Sequence, residues 1–251
     1  MSDVPELTAG GQPIYRHEDK ERDFVPAAYV SEAGYAALEA HYAKFLGVEC
    51  TVGHEMISEL IHIDVYHYPP TTERPYSVLA TIGMSALPMN VPAGAEDARF
   101  AELVIALPAT WPISQEDFEN PDHYWPMRWL KQLARLPHEY DTWLSLGHTV
   151  PNGDPAEPLA SNTRLSGVVL LPPMNLGEGF TQLAMPDGSS LNIYALIPLY
   201  DEEMDLKLRS GVEALFAGFD QHGVTELLNI DRPNTVKPAA KKSLLNRFFK
   251  R

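Results

Sequence analysis

The chain has a single cysteine, Cys50, among its 251 residues. That excludes an intramolecular disulfide and any zinc cage built on cysteines. No apolar run approaches the length of about 18 residues that crosses a bilayer. The opening stretch MSDVPELTAGGQPIYRHEDKERDF is polar and lacks the apolar segment of a secretory signal. These absences lead us to expect a cytoplasmic protein with no integral membrane association. Phosphate-cradling motifs are missing as well, since neither G-x-x-x-x-G-K-S/T nor G-x-G-x-x-G occurs. There is no internal repeat and no long low-complexity linker.

Acidic residues are absent beyond Asp231, which makes the charge uneven. The whole chain carries a formal net charge of −15, yet residues 1–231 hold 12 basic and 34 acidic groups, a net of −22. A body this acidic repels nucleic-acid phosphates and draws basic partners. Solubility alone also explains an acidic surface. With 45% hydrophobic and 21% charged residues the chain has the composition of a globular protein with a substantial core.

Residues 1–29 lack periodicity and read as an irregular arm. Ser31 can cap a helix running to about Leu46, with Tyr35, Leu38, Tyr42 and Phe45 at helical spacing and Gly47 as its stop. Strands are expected around ELIHIDVYHY, at 76–83 and at 101–108. In the first of these Ile61, Ile63 and Val65 point one way, and His62, Asp64 and Tyr66 the other. Asp122 is placed to cap a second helix that Pro137 would stop, with Pro126 in its first turn. Two further apolar strands, Gly167–Leu171 and Leu191–Leu199, precede a third helix capped by Asp201 and ended by Gly223. The order of elements suits an α+β domain, helices packed on a mixed, largely antiparallel sheet, rather than a doubly wound nucleotide-binding fold. The stretch 234–251 is a basic tail with an apolar cluster at Leu244, Leu245, Phe248 and Phe249. It could meet an acidic partner or membrane surface, or fold back on the acidic body.

A search for chemistry finds little. Ser85 follows Gly83 in Ile-Gly-Met-Ser-Ala, but Leu87 stands where a nucleophile elbow needs its second glycine. His62 and Asp64 share a strand face and could converge on one metal ion, although His67 points away and no H-E-x-x-H occurs. Glu49 beside Cys50 works against a reactive thiolate. We therefore expect no catalytic residue, no cofactor and no metal. A hydrolase using Ser85, or a metal held by His62 and Asp64, is the enzymatic alternative. Aromatics are concentrated, with Trp111, Trp125, Trp129 and Trp143 inside one 33-residue window. Tryptophans fill cores and also anchor interfaces.

Several blocks, in order, resemble the suppressor-of-fused domain: HIDVYHYPPTTERPYSVLATIGMSALPM, AELVIALPATWP, YWPMRWLKQLARLP, SLGHTVPNGDP, SGVVLLPP, and the long stretch from LNIYALIPLYDEE to NIDRP. The series is carried above all by the Thr-x-Gly-Met-Ser turn, the Glu-Leu strand, the Trp-Pro pair and the Gly-His loop. The resemblance implies a stand-alone domain over residues 30–233, without catalytic residues, that acts by binding another protein. The animal member restrains transcription factors with this domain plus a second one, and Gly147 stands where an acidic residue is expected before the loop histidine. Transcription-factor binding is therefore not carried over. Stand-alone members look bacterial and are associated with polymorphic toxin systems, as immunity proteins that neutralise a toxin by direct binding. On that footing the partner is another protein, such as a basic toxin domain. An adaptor or regulatory scaffold is the other binding role. The expected contact residues are Trp125, Trp129, Gly147, His148 and Asp154.

Overall fold

The computed structural model describes residues 6–18 and 23–236. The expected roles of residues 237–251 lie outside them. Two short strands, β1 (Glu6–Leu7) and β2 (Pro13–Ile14), pair antiparallel. The arm expected to be irregular thus carries a small hairpin, closed by Thr8, whose amide meets the Gln12 carbonyl at 2.8 Å. Residues 25–28 then run beside 59–62, with Ala28 bonded to Leu60 and His62.

Helix α1 (Glu32–Leu46) starts and stops as the sequence indicates. The Ser31 hydroxyl accepts from the Gly34 amide, and Gly47 follows with φ 99°. After β3 (Thr51–Gly53) come β4 (Asp64–Tyr68), β5 (Tyr76–Ile82) and β6 (Ala101–Pro108), an antiparallel meander. Helix α2 (Pro121–Glu139) follows, then β7 (Thr149–Pro151), β8 (Gly167–Leu171), β9 (Gln182–Ala184) and β10 (Ser190–Leu199). The chain closes on α3 (Asp201–Ser210) and α4 (Val212–His222). Eight strands form one sheet in the order β3-β4-β5-β6-β10-β8-β7, with β9 also paired to β10. Among the pairs of described strands in this sheet, the central β10–β6 pair alone is parallel.

Alternation along the strands divides the core between two sheet faces. Ile61, Ile63, Val65, Leu103, Ile105, Leu170 and Leu196 pack under α2 with Trp125, Leu130 and Leu133. On the other face Tyr66, Tyr68, Val78, Ile82, Ile193 and Ala195 meet Leu38, Tyr42 and Leu46 of α1. Val169, Ile197 and Leu199 on that same side meet Met204, Leu215 and Phe219 of α3 and α4. β10 is therefore buried on both faces, as its unbroken apolar run requires.

Four helix boundaries differ from expectation. Asn120, not Asp122, caps α2, its Oδ1 accepting from the Asp122 amide at 3.0 Å. Pro126 therefore sits two residues further in than expected, past the first turn, and cannot donate to the Asp122 carbonyl. Asn162 Nδ2 donates to that carbonyl instead, at 3.0 Å. The helix also runs through Pro137 to Glu139. The third predicted helix is two, because Gly211 takes φ 86° and breaks it, and Tyr200 rather than Asp201 occupies the cap position. Asn120→Ala should cost about 1 kcal/mol of stability in a urea titration, the usual value of a lost N-cap.

Candidate functional site

Ser85 lies in a 3-10 turn (Met84–Ala86) at the end of β5, over the buried Glu102 of β6. Its hydroxyl donates to Glu102 Oε1 at 2.6 Å. The same carboxylate accepts from the amides of Gly83, Met84 and Ser85 and from the Thr81 hydroxyl at 2.6 Å. Thr81 Oγ1 also accepts from the Leu103 amide, which directs its own proton to Glu102. Burial pushes the Glu102 carboxyl above its ordinary range, while these donors pull against that shift. With its hydroxyl proton committed to a carboxylate, Ser85 holds the turn together. Gly83 (φ 143°) is required because a Cβ there would run into the His62 carbonyl oxygen.

His62 and Asp64 do converge. His62 Nε2 lies 3.1 Å from Asp64 Oδ1, and His54 Nδ1 reaches the same oxygen at 3.0 Å. Tyr35 of α1 donates to Oδ2 at 2.7 Å, and Tyr29 stacks on the His62 ring. The carboxylate's acceptor positions are thus occupied by three donors that tie α1 and the 54–62 loop to β4. Among the described residues no group of three or more His, Cys, Asp or Glu side chains is arranged to hold a metal ion.

The tryptophans expected at a contact surface are inside. Trp125 is completely buried and Trp129 nearly so, both in the layer between α2 and the sheet. Trp111 packs edge-on against Trp125. Their position corrects the expectation for these two residues: the α2 face that carries them is the face turned to the sheet, so neither indole is presented to a partner. The reason is the amphipathic spacing of Trp125, Trp129, Leu130 and Leu133, which serves the core first.

Gly147, His148 and Asp154 lie together on and around β7, the last strand on one side of the sheet. Gly147 has φ 77° and leaves room for Val212 of α4, 3.5 Å from where its Cβ would be. His148 packs edge-on to Trp143 with ring centroids 4.5 Å apart. Burial above all, together with the charge of Lys207, lowers its pKa to about 4. His148 is therefore neutral at physiological pH. Asp154 is exposed and pairs with Arg16 of the N-terminal arm at 3.0 Å. The His148 carbonyl accepts from the Leu170 amide and the Asn152 amide donates to the Ser166 carbonyl, so in this register the backbone groups of 148, 150 and 152 are the ones turned toward β8. By alternation the backbone groups of Thr149 and Pro151 face outward, where no strand among the described residues pairs with them.

Sequence reasoning missed several groups that organise the molecule. Lys207, in α3, is 9% exposed and lies beside Thr149 of β7. Arg232 and Glu203 form a buried ion pair that seats the segment after α4 on α3. Neither carries a local motif, because each meets a partner distant in sequence. A second exposed feature also went unread: Met56 and Ile57 are 98% and 87% exposed at the tip of a loop, with Phe24, Val25 and Tyr29 exposed on the segment alongside it. No described helix is long and apolar enough to cross a membrane.

The family model for Suppressor of fused protein matches residues 59–233. A homologue of suppressor of fused from Neisseria gonorrhoeae is 21% identical, with a TM-score of 0.59, covering 83% of this chain and 99% of that one. The Sufu–Fu complex gives 15% identity and a TM-score of 0.57, covering 81% of this chain and 92% of the matched one. Drosophila Suppressor of Fused gives 15% identity and a TM-score of 0.55, covering 81% of this chain and 51% of its own length. No curated protein sequence matches the chain. At these identities the structural likeness carries the fold.

Proposed function

Because the chain belongs to the suppressor of fused family, we propose that it is a non-catalytic protein-binding domain whose contact surface is the Gly147–Asp154 edge. The observation that carries this surface is the unpaired outer side of β7, flanked by the half-buried His148 and the exposed Asp154. An unpaired strand edge offers backbone donors and acceptors to an extended segment of another protein. A relative has been solved as the Sufu–Fu complex, which supports a protein as partner.

The finer reading is an immunity protein in the cytoplasm of a bacterium, neutralising a basic toxin domain by direct binding. It is supported by the net charge of −22 over residues 1–231, which speeds encounter with a basic partner and weakens as salt rises. Residues 30–233 are the binding unit in this reading, with 1–29 as an arm and 234–251 as a basic tail. Asn234 and Thr235 nevertheless bond to Glu202 and Glu203, so the packed body reaches past residue 233.

An adaptor role has its own support. The Met56–Ile57 tip follows β3, at the opposite side of the sheet from β7, and gives a second exposed apolar surface.

Affinity capture with the tagged chain, from lysate of its own organism at low and moderate salt, tests these readings. A single stoichiometric basic partner, lost as salt rises and retained by Ile57→Asp, is the immunity outcome. Two partners, one of them lost in Ile57→Asp, is the adaptor outcome. No enrichment over an unrelated acidic control protein would overturn the binding reading.

A further inference from the structure

Among the described residues three cations are at least nine-tenths buried, and they are treated differently. Arg232 has the Glu203 carboxylate. Arg74 donates to the carbonyls of Tyr76, Leu46 and Pro69. Lys207 has neither. Its ammonium finds one neutral oxygen, Thr149 Oγ1, at the outer limit of hydrogen bonding, 3.5 Å away. No carboxylate among the described residues stands within ion-pair distance of it. A buried cation with three donors and one long contact is costly, and the cost is recovered when a counter-charge arrives. Burial lowers the Lys207 pKa, as expected of an ammonium held away from water without a partner.

Thr149 fixes where the counter-charge would come from. Its side chain lies on the α3 side of the sheet, in register with Val169. Its backbone faces outward, as shown above. In a strand added at this edge, the residue opposite Thr149 would place its side chain on the same face, with Cβ atoms about 5 Å apart. That side chain would lie over the Lys207 ammonium. Pro151, which has no N–H, limits the pairing to a short stretch.

We propose that Lys207 is a recognition site for a carboxylate: an extended segment of a partner protein pairs with the outer edge of β7 and sets an aspartate or glutamate opposite Thr149. The inference rests on reading the Gly147–Asp154 edge as the contact surface, and adds the chemistry it selects. A partner that is basic elsewhere suits the acidic body, and its one acidic residue at this register suits Lys207. Specificity then comes from a single charge placed against the sign of the surrounding field.

The test titrates the isotopically labelled full chain with two capped peptides, Ac-Thr-Val-Glu-Val-Thr-NH2 and its glutamine twin, and with sodium acetate, following the Thr149 amide by NMR. Saturation by the glutamate peptide at least tenfold tighter than by its twin, with the preference gone in Lys207→Met, is the expected result. Equal binding of the twins overturns the carboxylate site while leaving β7 as a peptide-binding edge. A glutamate preference that persists in Lys207→Met overturns it too. Acetate saturating as tightly as the glutamate peptide makes this a small-carboxylate site and overturns the segment. If neither peptide moves Thr149, the strand pairing and the site fall together. Partner capture by Lys207→Met separates the two levels. Undiminished capture removes the inference alone, whereas no capture by the unchanged chain removes the binding reading itself.

Discussion

Glu102→Ala is expected to lose more than about 4 kcal/mol of stability, a large share of what holds the domain folded. A domain has about 5–15 kcal/mol to lose. Five donors converge on this carboxylate, three of them backbone amides of the turn that ends β5. Each buried donor left without an acceptor costs about 1–3 kcal/mol, and truncation adds a cavity. Glu102→Gln should be milder, about 2–3 kcal/mol, because the amide oxygen can serve one side of the site. Its NH2 group then faces Met84 N or Ser85 N, neither of which can accept. Ser85→Ala removes one donor and nothing else, so about 1 kcal/mol and unchanged partner capture are expected. Urea titrations of the three variants give the order directly. A Glu102→Ala protein within 1 kcal/mol of the parent would show that water replaces the carboxylate, and a Ser85→Ala protein that loses partner capture would return Ser85 to a functional role.

Arg232→Met should cost about 3–5 kcal/mol, the usual penalty for stranding one member of a buried ion pair. Glu203 is fully buried and accepts both ends of the Arg232 guanidinium, the amide and hydroxyl of Thr235, and the amide of Tyr200. The guanidinium also stacks over Tyr200 and Phe219 and donates to the Pro198 carbonyl. Replacing both partners by methionine should recover most of the loss, since two apolar groups strand no charge. The pair also writes a pH dependence. Burial would raise the Glu203 carboxyl, but Arg232 and the other donors outweigh it and hold the pKa below the ordinary value. Its stabilisation is therefore complete above the unfolded glutamate pKa and disappears as pH falls through the lower, folded value. Stability measured from pH 6 downward should decline more steeply in the parent than in Arg232→Met. Parallel curves would mean that the pair is not linked to protons in this range.

How much of this was legible in the sequence depends on the range of the interaction. Gly167–Leu171 and 101–108 were readable as strands because alternation and Gly or Pro punctuation are local, and the Ser31 cap because its acceptor lies three residues away. The split between α3 and α4 was missed because the apolar stripe of Leu208, Val212, Leu215 and Phe219 continues across Gly211, and only the backbone angle reveals the break. β7 and β9 have three residues each, too few for a period to show. At the candidate site, the Gly147–Asp154 segment was nominated through the resemblance of its Gly-His loop rather than by any local pattern. Lys207 was not, since nothing in its own helix says that it will lie under a strand some sixty residues earlier. Trp125 and Trp129 misled for the opposite reason. Residue type alone cannot tell a core indole from an anchor, and here both faces of the sheet had to be covered.

The parallel pairing of β6 with β10 at the centre of the sheet bears on how the molecule is made. β6 pairs with β10 through Ala101 to Val104 and Asn192 to Ala195, positions about ninety residues apart. The β3–β6 meander closes through neighbouring hairpins, whereas the joint to β10 waits for everything between. During synthesis the meander leaves the ribosome with one side of β6 unpaired, and Leu103 and Ile105 stay uncovered until α2 docks. From this topology the arrival of β10, which pairs with β6 on one side and β8 on the other, is expected to come late in folding. A half-sheet with one side of β6 open would be the aggregation-prone species on such a route.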